Sequence, residues 1–186
     1  MCRIALAGRR LALPFVGLLL LGGCSDGNVP ASPCGAQLST LAGAAPEELV
    51  TVVVHFASTP TEHDREFLDS SGAEILGEFK GTAALAIRIR VEDLPRLEEN
   101  AGVTLGLAAR AGGSLNVGVF FVSGPTEDDR EFVASLGAET IHEFGGMPAL
   151  AVRIPVEVLP DVLRGLNDNP RVSMVESGKP MELDAC

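Results

Sequence analysis

The residues from Val52 to Glu98 recur 65 positions later, from Val117 to Leu163, and 27 of the 47 aligned pairs are identical without a gap. A repeat of this length is one complete supersecondary unit, so it constrains the fold before any local feature is weighed. Each copy opens with a period-two apolar run, Val52, Val54 and Phe56 or Val117, Val119 and Phe121, which marks a strand. Pro60-Thr61 and Pro125-Thr126 follow. A threonine N-cap with Asp64 or Asp129 three residues on starts a helix by satisfying its free backbone N–H groups. Phe67 and Leu68, or Phe132, Val133 and Leu136, give that helix its apolar stripe. Gly72 and Gly137 end it, as left-handed C-terminal caps do.

Strands are expected next at Ala73–Phe79 and Ala138–Phe144. Glycine turns at Lys80-Gly81 and Gly145-Gly146 lead into a third strand. There Leu85, Ile87 and Ile89 alternate with Ala84, Ala86 and Arg88, and Leu150, Val152 and Ile154 with Ala149, Ala151 and Arg153. A second helix begins near Val91 or Val156, and a last strand closes each copy at Val103–Leu107 or Arg171–Glu176. Ala108–Gly113 reads as the linker between copies. The order is βαββαβ. The expected class is therefore α+β: two tandem ferredoxin-like domains, residues 49–110 and 114–177, each with two helices on one face of an antiparallel four-stranded sheet. Residues 178–186 form a C-terminal tail.

Neither Trp nor Tyr is present, so the cores must be built from aliphatic residues and the eight Phe. The formal charge of −11 argues against nucleic acid, whose phosphates select basic surfaces. The first 23 residues join a short basic region, an apolar run and a small-residue end, which is the pattern of a secretory signal. Leu21-Gly22-Gly23-Cys24 resembles the lipobox of bacterial lipoproteins. That resemblance implies cleavage before Cys24, a diacylglycerol group on its sulfur, and anchorage of the chain to a membrane of the cell envelope. Residues 24–48, rich in Gly, Ala, Pro and Ser, read as a flexible tether. Cys34 and Cys186 then remain in an oxidising compartment. An intramolecular disulfide, two free thiols and intermolecular bridges are all open to them.

The run Ala149-Leu150-Ala151-Val152-Arg153-Ile154, then Leu159, Leu163, Asn169-Pro170-Arg171-Val172 and Val175-Glu176, resembles the propeptide and proteinase-inhibitor family of subtilisin-like serine proteases. Copy two carries the resemblance over almost its whole length. Copy one departs after its second helix, reading Ala101-Gly102-Val103-Thr104-Leu105 with neither the proline nor the closing glutamate. The resemblance implies that a sheet face including Ala149, Ala151 and Arg153 packs on a protease. It also implies that Glu176 caps a protease helix, where the dipole favours a carboxylate. The segment from Ser177 through Gly178, Lys179, Pro180, Met181 and Glu182 to Cys186 would lie in the substrate cleft.

No catalytic set is evident: there is no nucleophile elbow, no phosphate-binding glycine loop and no cofactor signature. No Cys or His spacing fits a metal, and Glu127-Asp128-Asp129 lacks the spacing of a calcium loop. His55, His63 and His142 are singletons, aligned with Phe120, Asp128 and Gly77 in the other copy. The reading is a non-enzymatic binder of a subtilisin-like protease. A protein-binding envelope adaptor is the alternative, and a small-molecule sensor is a third reading without residue-level support.

Overall fold

A computed structural model describes Leu41, residues 43–100 and residues 102–177, with Leu107 described by its backbone alone. The leader, Cys24, Cys34, Cys186 and residues 178–182 of the expected tail site lie outside the described residues.

Copy one contains β1 (Leu49–Phe56), α1 (Glu62–Ser70), β2 (Glu74–Glu78) and β3 (Ala84–Arg90). A single 3-10 turn (Val91–Asp93), α2 (Leu94–Glu98) and β4 (Val103–Arg110) complete it. Copy two repeats the order with β5 (Ser114–Phe121), α3 (Glu127–Ser135), β6 (Glu139–Glu143), β7 (Ala149–Pro155), α4 (Leu159–Asp168) and β8 (Val172–Ser177). The architecture is α+β, with two antiparallel four-stranded sheets ordered β2-β3-β1-β4 and β6-β7-β5-β8. Registers coincide under the 65-residue shift: Val52 faces Ile87 as Val117 faces Val152, and Val54 faces Leu85 as Val119 faces Leu150.

Local chemistry sets the boundaries in both copies. The Thr61 hydroxyl accepts from Asp64 N–H at 3.3 Å, and the Asp64 carboxylate accepts from Thr61 N–H at 2.7 Å. Thr126 and Asp129 repeat this reciprocal cap at 3.3 and 2.8 Å. Gly72 and Gly137 end the first helices with φ of 79° and 85°, the left-handed region that costs glycine nothing. Pro95 and Pro160 sit in the first turns of α2 and α4, where a missing N–H is harmless. These helices accordingly begin three residues after Val91 and Val156.

One expectation needs correction. Ala108–Arg110 is strand rather than linker: β4 continues past a register shift so that Ala108, Ala109 and Arg110 face Val52, Thr51 and Val50. The ladder outweighs weak local strand propensity here, because the first half of β1 would otherwise lack a partner on that side. The second helices also differ. α2 has 5 residues and α4 has 10, so copy two alone carries a helix long enough to serve two sheets.

The packing is asymmetric. Val52, Val54, Leu85 and Ile87 cover one face of the first sheet together with Leu68 of α1 and Leu94 and Leu97 of α2. The opposite face, with Val53, Ala84, Ala86 and Ala109, joins the core of copy two. Leu159, Val162, Leu163 and Leu166 of α4 are all fully buried, and Leu163 lies against Gly77 of β2, where an added Cβ would come within 3.0 Å of it. The β2–β3 turn then locks onto copy two. Lys80 Nζ donates to the carbonyls of Asn167 and Asn169 at 2.9 Å each, Asn167 Nδ2 donates to Glu78 O, and Val175 N–H donates to Lys80 O at 2.8 Å.

Candidate functional site

Strand alternation decides which side chains of the second sheet can meet a partner. Leu115, Val117, Val119 and Phe121 are buried, so Asn116, Gly118 and Phe120 point to the other face. Strand pairing carries that face across the sheet. Gly118 stands between Glu176 of β8 and Ala151 of β7, and Ala151 stands opposite His142 of β6. In one neighbouring row Phe120 stands between Met174 and Ala149; in the other, Arg153 stands between Asn116 and Glu139.

The face is shallow at its centre and charged at its margins. Gly118 lies under Phe120: a Cβ there would fall 3.1 Å from Phe120 Cε2. Arg153 is exposed and paired with Glu139 at 3.1 Å. The Glu176 carboxylate is exposed and makes no ion pair among the described residues. Ala149, Ala151, Arg153 and Glu176 therefore share one face, although Ala149 is fully buried and Ala151 half-buried. Ser177 does not share it. It points to the opposite side, is 6% exposed, and its Oγ lies 2.9 Å from His55 Nε2 of copy one.

The corresponding face of copy one is closed. Ala84 and Ala86, the counterparts of Ala149 and Ala151, are 1% and 0% exposed within the core shared with copy two. Exposed apolar residues of copy two fall at the same stations. Ile141 and Met147, 39% and 48% exposed, correspond to Leu76, which packs on the shared core, and Thr82, which bonds Val175 O.

The closing motif also has a structural role. Arg171 Nε and Nη2 donate to the two oxygens of Asp129 at 2.8 and 2.7 Å, and Asn169 Oδ1 accepts from Arg171 N–H. Asp129 is 2% exposed, and the Arg171 guanidinium, joined by Thr126, holds its carboxyl far below the usual carboxylate range. The acidic run at the start of α3 is thus partly an arginine clasp, a pairing that sequence spacing did not signal. No group of three or more His, Cys, Asp or Glu among the described residues is arranged to hold a metal. Sequence reasoning also missed the His55–Ser177 pair. The one available signal was that a histidine in copy one replaces Phe120 at an otherwise matched strand position.

Comparison of the chain with protein-family models, curated proteins and solved structures finds no match in any of the three.

Proposed function

We propose that each half is a ferredoxin-like unit, and that the chain is an envelope-anchored, non-enzymatic protein that binds a subtilisin-like serine protease through the second sheet. The strand orders β2-β3-β1-β4 and β6-β7-β5-β8 and the shared registers support the fold reading. One observation carries the function. Of two equivalent sheet faces, copy two fills the first and leaves its own open, with Glu176 beside Gly118 and Ala151. Small residues allow close approach, and a margin of Arg153, Glu139 and Glu176 supplies orientation. Copy one also illustrates what such a face can hold, since α4 leans on its equivalent. The lipobox resemblance supports anchorage at Cys24.

A protein-binding adaptor is the second reading. It is favoured by Ser177, an expected cleft residue whose side chain is buried against copy one. The test compares inhibition of several subtilisin-type enzymes by the full chain and by a form lacking residues 177–186. Inhibition that disappears with the tail supports the protease reading. No inhibition at micromolar concentration, with another envelope protein captured, supports the adaptor.

A further inference from the structure

We infer that the open face of the second sheet pairs with the same face of a second copy of this chain, about a two-fold axis parallel to its strands. The pairing rests on the openness of that face, as the binding reading above does, but needs no protease. Its starting point is a contrast between equivalent rings. Phe79 is 1% exposed in the core shared with copy two, whereas its counterpart Phe144 is half-exposed. Phe144 meets the exposed His142 edge-on, with ring centres 5.0 Å apart and planes at 83°. Both belong to the open face: His142 stands opposite Ala151, and Phe144 N–H donates to Ala149 O. Copy one of a further chain cannot cover this face as copy two covers its own neighbour. The outward residues of α1 and α2, Glu62, Glu66, Asp69, Arg96 and Glu98, are charged and exposed. Head-to-tail stacking is therefore excluded, and face-to-face pairing remains.

Strand order makes the face complementary to itself. The order β6-β7-β5-β8, turned about an axis between β7 and β5, sets β6 against the partner's β8 and β7 against the partner's β5. Cross-strand rows stay level in that rotation, so large meets small. Phe120 stands over the partner's Ala149, and Gly118 over the partner's Ala151. The Glu176 carboxylate meets the partner's His142 imidazole, which donates to it, and Arg153 meets the partner's Asn116. Three rows on four strands cover about 400 Å2 of flat area per chain, which is small for a stable dimer, so the pair is weak and reversible. The same rotation keeps equivalent points level along the axis. Two chains anchored through Cys24, as proposed above, can therefore pair within one membrane, where anchorage supplies the effective concentration that a weak pair needs. Pairing and the binding of any other ligand to this face exclude each other.

Sedimentation velocity on the full chain in detergent, with its cysteines kept reduced, tests this from micromolar to millimolar protein. The wild type should shift from monomer toward dimer as concentration rises, and Ala151→Glu should stay monomeric. Glu176→Lys should weaken pairing severalfold, because the symmetry repeats the loss at two places. Adding His142→Glu to Glu176→Lys should restore most of the pairing by exchanging the two charges, an effect that a purely structural role for Glu176 would not produce. If Ala151→Glu fails to fold, the charge exchange decides alone. A wild type that stays monomeric at millimolar concentration overturns the pairing. So does a dimer that Ala151→Glu leaves intact, since the contact then lies elsewhere, and so does a charge exchange that restores nothing. A dimer in a protein that inhibits no subtilisin-type enzyme leaves the pairing standing and defeats the protease reading. Inhibition by a chain that is monomeric throughout does the reverse.

Discussion

The two copies share 27 of 47 aligned residues and end in different packing. Through β1–β3 and β5–β7 they share registers, capping boxes and left-handed glycines. They part at the second helix. α4 runs 10 residues and is apolar on the sides facing both sheets, whereas α2 stops after 5 and carries Glu98 where α4 carries Leu163. The longer helix fills the open face of copy one. The shorter, charged one offers no such surface to a further copy, so copy one ends the stack on its side, as capping repeats do. The differences at the second helix thus leave one sheet face covered by the other copy and the equivalent face of copy two without such a cover.

The largest effect is expected from one substitution at two equivalent alanines. Ala86→Glu would bury an unpaired carboxylate in the shared core, and urea unfolding should show a loss of about 3–5 kcal/mol. Ala151→Glu, on the half-buried open face, should leave stability nearly unchanged but abolish partner binding. Comparable losses at both positions would mean that the second face is also a core. Leu163→Ala comes next. It empties space between the two sheets and should cost about 2–5 kcal/mol, with the two copies losing cooperativity together.

Arg171→Ala ranks third. Copy one has no counterpart arginine in Ala101-Gly102-Val103, and Asp64 depends on Thr61 alone for its lowered pKa apart from a minor influence of His63. Losing Arg171 strands Asp129 with its N-cap bonds only. Because the arginine side chain is largely open to solvent, screening keeps the expected loss of stability in urea unfolding below that of the core substitutions. The paired carboxylate has a depressed folded pKa, so its stabilisation is complete above about pH 4 and is lost as pH falls below that. The difference between wild type and Arg171→Ala should therefore shrink in acid. A constant difference down to pH 2 would assign the arginine a packing role instead.

Much of the fold was legible because local signals agreed with one another. Period-two runs, Thr-x-x-Asp caps and terminal glycines each named the same boundaries, and Leu85, Ile87, Leu150 and Val152 are buried as their alternation required. What stayed hidden depends on contacts between copies. Nothing in Ala108-Ala109-Arg110 announces a strand, since its partner half of β1 lies more than 50 residues away. Ser177 reads as the first residue of the cleft segment until a histidine from the other copy is seen to hold it. At the candidate site, alternation put Ala149, Ala151 and Arg153 on one face, but burial of Ala149 and the closure of the copy-one face are tertiary outcomes.

The smallest expected effect concerns the turn that ties the copies. Lys80 points its ammonium at the C-terminal carbonyls of α4, where the helix dipole favours a cation. Gly145 stands at the same station in copy two, where no such helix end follows. Lys80→Met keeps most of the aliphatic stem and removes the charge, while Lys80→Ala removes both. Chemical denaturation should show Lys80→Met weakening the protein by about 0.5–2 kcal/mol and Lys80→Ala by slightly more. Gly145→Lys should be near neutral, because the new ammonium meets water. High salt should narrow the gap between wild type and Lys80→Met only modestly, since the contact is part-buried. If Lys80→Met proves as stable as wild type, the charge is not what joins the copies. The junction would then rest on the backbone bond from Val175 N–H to Lys80 O and on Leu163, which Lys80→Met leaves intact.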